Sequence, residues 1–379
     1  MKNSILITGA TGNVGGKLVP QILEDIPDAR IILLVRGKSK AQASDRVFQA
    51  ILKLTPSADP ERLRSRCEAV CGDITEPRLG QEADEYDRLA GTITHIIHSA
   101  AATKFRMAPD AARSVNCEGT RHVVELAMRA GELGHPVKFA HISTAFACGN
   151  RGGQIRETAF EETPRFSNIY EQTKWETERY LHRLERKFPL VIFRPSIIIG
   201  DSVTGRINDF NVLYAPLRLI LTGHVHVLPC PSSTPLDVVP LDYVAQSITR
   251  IFFGSGFEDR RIYHIVAGSG NEVSVGEIVE QAMDFMAKHC PESPSTGVRY
   301  LPAGLLRIGL SGLFKKADRI MSITRAYLPY LMTVRHFDDA NTRAALDDTV
   351  TPPRFDDYFA NVMAYFLREE LRKRLKTAA

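Results

Sequence analysis

A short apolar strand that runs straight into a glycine-spaced turn and then a helix-forming segment limits this chain more than any other feature. Ser4-Ile5-Leu6-Ile7 leads into Thr8-Gly9-Ala10-Thr11-Gly12-Asn13-Val14-Gly15. Glycine lets a strand turn sharply and removes the Cβ where a phosphate must approach. It also leaves the amides of the next helix N-terminus aimed at an anion. Thr8, Gly9, Thr11, Gly12, Asn13, Val14 and Gly15 are therefore candidate ligands of a dinucleotide pyrophosphate. Any tight turn can use glycines at this spacing, so the surrounding pattern has to decide.

After the helix Lys17–Asp25 comes a second apolar run, Arg30–Val35, which ends in Arg36 and then Gly37-Lys38-Ser39-Lys40. A strand–helix–strand unit of this length suits a dinucleotide-binding fold. Selection of NAD calls for Asp or Glu at the tip of the second strand, whereas a 2′-phosphate calls for a guanidinium. Arg36, with Lys38 beside it, predicts NADPH as the cofactor. The plain alternative is a solvated basic strand end.

The 379 residues, 44% of them apolar, suffice for one large domain or two sharing a cleft. A net charge of +4 is spread among acidic residues except in the run Arg368 to Lys376, which argues against nucleic acid as partner. That run is expected to be a solvated helix end. The six cysteines have no Cys-x-x-Cys pair, which points to reduced structural thiols in a cytoplasmic protein. The first strand begins at once, leaving no room for a signal peptide, and no run is long enough to span a bilayer. His224 and His226 alternate as in a strand but have no third ligand near them, so no metal site is expected.

Apolar runs recur between helical stretches at Cys67–Cys71, Thr94–His98, Val137–Ile142, Leu190–Phe193 and Arg261–Val266. Strands separated by helices predict an α/β fold with a Rossmann-like doubly wound parallel sheet and a smaller C-terminal substrate-binding region. The expected division is a nucleotide-binding domain over 1–200, completed by 237–268, with 201–236 and 269–379 as substrate-binding or lid region. Ligands of such sheets sit beyond the carboxyl ends of the strands. Asp73, Ile74, Ser99, Ala100, Ala101, Pro195, Ser196 and Ile197 lie at such ends and are candidate cofactor contacts. The small residues after the fourth strand are explained equally well by a close helix–strand contact.

The helical segment Asn168 to Leu184 contains Tyr170-Glu171-Gln172-Thr173-Lys174, which puts a phenol and an ammonium on one face a single turn apart. A nearby fixed cation favours the phenolate, so Lys174 is expected to bring the Tyr170 pKa toward neutrality. On an exposed helix the same spacing is an ordinary surface pair. Thr144, with Ser143 beside it at the end of the preceding strand, adds a hydroxyl able to polarise a carbonyl. Its plain alternative is a turn or cap hydrogen bond.

Together these residues resemble the extended branch of the short-chain dehydrogenase/reductase superfamily, and most closely its fatty acyl-CoA reductases and thioester reductase domains, a male-sterility-type NAD-binding family. The narrower resemblance is carried by His98-Ser-Ala-Ala-Ala-Thr-Lys-Phe105, Val115-Asn-Cys-Glu-Gly-Thr120, His141-Ile-Ser-Thr-Ala-Phe146, Arg194 to Ser202 with Thr204-Gly205, and Phe337-Asp-Asp-Ala-Asn-Thr342. Phe146 stands where relatives often have tyrosine. The chain ends without the extra C-terminal domain of many fatty acyl-CoA reductases.

The resemblance implies an NADP-dependent oxidoreductase that reduces an acyl thioester, carried by CoA or acyl carrier protein, to the aldehyde and in a second round to the alcohol. Thr144 and Tyr170 would grip the thioester oxygen, and Lys174 would hold the nicotinamide ribose and so count among both catalytic and cofactor residues. Asn116 would support Lys174 through a relay, its alternative being a helix-start cap. Arg36 would hold the 2′-phosphate, and Asp73 and Ile74 the adenine. Two alternatives remain at this level: an extended relative acting on a nucleotide-sugar or steroid-like alcohol, and a non-catalytic NADP-sensing protein. Ala303 to Lys316 is apolar, glycine-bearing and closed by lysines, consistent with a lid helix or with peripheral contact to a membrane.

Overall fold

A computed structural model describes residues 3–184, 187–210, 212–291, 297–301 and 329–378. The stretch Ala303 to Lys316 lies outside them. The leading elements are β1 (Ser4–Thr8), α1 (Asn13–Asp25), β2 (Arg30–Val35), α2 (Lys40–Leu54), β3 (Cys67–Cys71), β4 (His95–His98) and α3 (Gly119–Glu132). They continue with β5 (Lys138–Ile142), α4 (Ile169–Arg183), β6 (Leu190–Pro195), β7 (Ile197–Ile199), β8 (Val238–Pro240), α5 (Leu241–Phe253) and β9 (Ile262–Ile265).

Seven strands form one parallel sheet in the order β9-β6-β5-β4-β1-β2-β3. Both faces of this sheet are covered, and β1 shows why its sequence is an unbroken apolar run. Ile5 and Ile7 point into a core shared with Leu18, Ile22, Val47 and Ile248, while Leu6 points into an opposite core with Ile96, Val123 and Phe139. The pleat sends alternate side chains to the two helical layers, so each position has to be apolar. The chain order reverses between β1 and β4, which opens the crevice where ligands of such sheets bind.

Strand and helix boundaries differ from the sequence reading by more than one residue in two places. The first helix begins at Asn13 rather than Lys17, because Gly12 already serves as its N-cap. The sixth strand runs on to Pro195, and the chain then leaves the sheet: the Ser196 amide still donates to Ile265 O at 3.1 Å, but the Ile197 amide donates to Asp237 O at 3.3 Å. From there β7 pairs in parallel with β8, outside the main sheet.

A third apolar core is built from residues that follow these strands, including Phe146, Ile197, Tyr214, Ile278, Phe337 and Phe359. The buried carboxylate of Glu157 ties this region to the sheet: it accepts from the His264 amide at 2.6 Å, the Thr342 hydroxyl at 2.8 Å and the Asn341 amide. The basic run from Arg368 falls within the C-terminal helix Phe355–Ala378. All six cysteines are thiols.

Candidate active site

The glycine turn is built by two different constraints. Gly9 has φ +76°, and a Cβ there would come within 2.6 Å of Ala100 N, so the turn needs glycine both for its backbone and for the contact with the end of β4. At Gly15 a Cβ would meet Gly9 O at 2.6 Å. Gly12 differs: a Cβ would meet only Gly9 O, at 3.2 Å. The protein itself tolerates more there, and the first-turn amides of Asn13, Val14 and Gly15 lack intrahelical acceptors by helix geometry. This is a cradle that fits a pyrophosphate. Gly12→Ala is accordingly expected to lower stability by less than Gly15→Ala yet weaken dinucleotide affinity about tenfold or more, comparing urea midpoints with cofactor titrations.

The Asn13 side chain is otherwise engaged. Its Oδ1 accepts from the amides of Asn208 (2.9 Å) and Asp209 (3.2 Å), and its Nδ2 donates to Asp209 O (3.3 Å). That leaves its backbone amide, with that of Val14, as the group able to serve an anion. Nearby, Lys17 on α1 pairs with the buried Asp201 at 2.6 Å, a link between the turn and the 201–205 loop that sequence spacing alone does not disclose.

Arg36 and Lys38 are exposed at the end of β2. The Arg36 carbonyl accepts from Arg46 Nη1 at 3.0 Å, which brings a second guanidinium from α2 to this corner. Asp73 follows β3, and its Oδ1 accepts from both the amide and hydroxyl of Thr75 at 2.9 Å. Ile74 is buried against Gly119, and its carbonyl takes a hydrogen bond from His122.

A directed hydrogen-bond chain joins the glycine turn to Asn116. Thr120 gives its proton to Asn116 O (2.6 Å), so His98 Nε2 must donate to Thr120 Oγ1 (2.9 Å) and Nδ1 must accept from the Thr8 hydroxyl (2.7 Å), which itself accepts from Ala100 N (3.2 Å). Burial, with Lys174 nearby, drops the His98 pKa to about 3, which keeps the ring in the single neutral tautomer the chain requires.

Asn116 sits in one π-helical turn, Ser114–Glu118. It does not cap a helix start. Its Oδ1 accepts from Ala102 N at 2.7 Å, and its Nδ2 donates to Ala102 O at 3.1 Å and Thr173 Oγ1 at 2.8 Å. It therefore clamps the loop after β4, where Ser99, Ala100 and Ala101 lie, onto α4.

Residue spacing on α4 then brings the reactive groups together. The Asn168 side chain caps the helix at the Glu171 amide. The Tyr170 phenol lies beside the Thr144 hydroxyl. Thr144 caps the short helix Ala145–Cys148 through the Phe146 amide (3.3 Å) and donates to Pro195 O at 3.4 Å, so the cap role and the convergence coexist. Lys174 is 3% exposed and donates to Ile142 O at 2.6 Å.

One expectation is corrected. Burial pushes the Tyr170 phenol up to about 12, with the Thr144 hydrogen bond opposing, and Lys174 is not among the groups that shift it. The ammonium is spent on the strand end, and its own pKa falls to about 8, chiefly through burial. In this state the phenol is a proton donor rather than a phenolate.

Aromatic rings wall the site on the far side. Phe105 stacks on Tyr170 (6.3 Å between centroids) and Tyr330 (5.8 Å), and Phe146 meets Tyr330 edge-on at 4.8 Å. Beyond Tyr330 a narrow cavity is lined, among the described residues, almost entirely by apolar side chains, Ile197, Leu217, Ile220, Leu236 and Ile278 among them. Nothing in the local sequence marks Tyr330, which follows Tyr170 by 160 residues and meets it only through the fold.

Residues 7–248 match the NAD-binding family described as male sterility protein. Fatty acyl-CoA reductase wat of Drosophila melanogaster is 26% identical over 323 residues, covering 74% of this chain and 60% of that protein. Aldehyde reductase lnaA of Aspergillus flavus is 29% identical over 274 residues, 69% of this chain and 25% of that protein. The chain thus spans less than two thirds of the length of these curated relatives. Among solved structures, the terminal R domain from the myxalamid PKS-NRPS biosynthetic pathway superposes with a TM-score of 0.79 at 26% identity, covering 97% of this chain and 91% of that one.

Proposed function

This chain belongs to the NAD-binding male sterility protein family, and on that premise we propose that it is an NADPH-dependent reductase of fatty acyl thioesters. The observation that carries the reading is the meeting of Tyr170 with Thr144 at the strand ends, between the glycine cradle and an apolar cavity. Residues 1–200 with 237–268 would bind the cofactor, and the remainder the acyl chain and its carrier.

Each role follows from what the residues can do. The first-turn amides after Gly12 would hold the pyrophosphate, and Arg36, with Arg46 beside it, the 2′-phosphate. A nicotinamide held there would supply a hydride to the thioester carbonyl carbon. Thr144 and Tyr170 offer hydroxyls to the carbonyl oxygen, so the negative charge that develops on it meets donors already oriented. Lys174, held by Ile142 O, places a positive charge beneath them. Loss of the thiolate leaves the aldehyde. In a second round Tyr170, kept protonated by its high pKa, would give its proton to the alkoxide.

The apolar lining favours a hydrocarbon chain over a peptidyl group, because a buried amide without partners costs about 1–3 kcal/mol. The test is direct: purified protein with NADPH and palmitoyl-CoA, following loss of nicotinamide absorbance and appearance of free thiol. Both signals should rise together. Thiol release without cofactor oxidation would mean hydrolysis and overturn the reading. Arg36→Glu is expected to weaken NADPH binding by about tenfold or more while NADH binding changes little. Equal losses for the two cofactors would remove Arg36 from the phosphate site.

A further inference from the structure

Tyr170, Lys174 and Glu178 follow one another at single-turn spacing along α4. Glu178 is 2% exposed, yet it carries no catalytic atom. Its carboxylate is gripped from two strands: Arg194 on β6 donates Nε at 3.0 and 3.1 Å and Nη2 at 2.5 Å, and the Ser143 hydroxyl just after β5 donates to Oε1. Ser143 is the neighbour of Thr144, and Ile142, the acceptor of Lys174, precedes it.

We propose that Glu178 is a positioning residue that keeps Lys174 an ammonium and locks α4 in register with the strand end carrying Thr144. The proposal rests on reading Tyr170, Thr144 and Lys174 as the reactive set. Lys174 is faced by His98 from β4, His141 from β5, Cys117 from the π-helical turn, and Glu178 from its own helix. Both imidazoles are held neutral by burial and lend no negative charge. Glu178 is the carboxylate that opposes the burial of the ammonium, whereas burial pushes the Cys117 thiol up to about 11 and keeps it uncharged. Arg194 grips the Glu178 carboxylate from β6 and does not itself contact Lys174 among the interactions of the described residues.

Burial of a cation lowers its pKa unless an opposite charge stands close by. The experiment is a pH titration by NMR of the cofactor-free protein labelled with [13Cε]lysine, the Lys174 signal being assigned by its loss in Lys174→Arg. Glu178→Gln should move the Lys174 midpoint down by about one pH unit or more. Glu178→Asp, which keeps the charge, should stay near the parental midpoint even if it unfolds at lower denaturant.

Glu178→Gln/Arg194→Met removes both buried charges, so it remains measurable if the single variant fails to fold; its midpoint should also fall, by less than in the single variant because a cation leaves with the carboxylate. An unchanged midpoint in Glu178→Gln or in the double variant, or the same drop in Glu178→Asp, would overturn the proposal. The alkaline limb of kcat should follow the NMR midpoint in each variant. If the parental protein reduces no thioester, the NMR result still decides the role of Glu178, and only the substrate reading fails.

Discussion

Tyr170→Phe is expected to lower kcat for thioester reduction by about 10²–10⁴-fold, the usual worth of a positioned proton donor, with cofactor affinity nearly unchanged. The separation follows from where the hydroxyl points. It lies beside Thr144 at the strand ends, on a ring stacked against Phe105, whereas the proposed pyrophosphate cradle is the Gly9 to Gly15 turn. Removing one oxygen leaves ring packing in place, so the loss reads on chemistry rather than on folding. Steady-state rates alongside fluorescence titration of NADPH measure the two effects. A kcat within tenfold of the parental value would assign proton donation elsewhere. A matching loss of cofactor affinity would place the hydroxyl on the nucleotide instead.

Arg194→Met should destabilise the protein by about 3–5 kcal/mol, the cost of leaving a buried carboxylate without its partner. Arg194 is 0% exposed, and its guanidinium serves Glu178, Thr158 O (3.0 Å) and His264 Nε2 (3.3 Å) while lying 4.0 Å over the Phe160 ring. Removing it strands the Glu178 charge and empties a site joined to β5, β9 and α4 at once. Adding Glu178→Gln to the same chain should return most of the loss, because deleting a whole buried pair is far milder than deleting half of it. Urea unfolding of the single and double variants reads this directly. A single variant within about 1 kcal/mol of the parent by that measurement would show that the pair is hydrated or easily replaced.

The same residues show how far a sequence can be read. Strand β1 and the glycine turn were legible because their physics is local: unbroken apolar character means burial on both faces, and glycine spacing reports backbone the chain needs within a dozen residues. The Tyr170 and Lys174 pair was legible as a shared helix face. The charge state of the phenol was not, since it depends on what else surrounds it. Spacing suggested that Lys174 would acidify Tyr170, but the fold sends the ammonium to Ile142 O and burial sets the phenol instead. Asn116 likewise had a helix cap as its local alternative, and what it does is clamp Ala102 to Thr173.

By itself, then, the sequence determined the alternation of strands and helices, the glycine turn and the family, all carried by short-range pattern. Only the tertiary structure decided which distant groups became partners: Lys17 with Asp201, Thr144 with Tyr170, Glu178 with Arg194, and Tyr330 with the aromatic wall. The reason is that hydrogen-bond and ion-pair energies depend on distance and dielectric in space, and neither is set until the sheet has closed its faces.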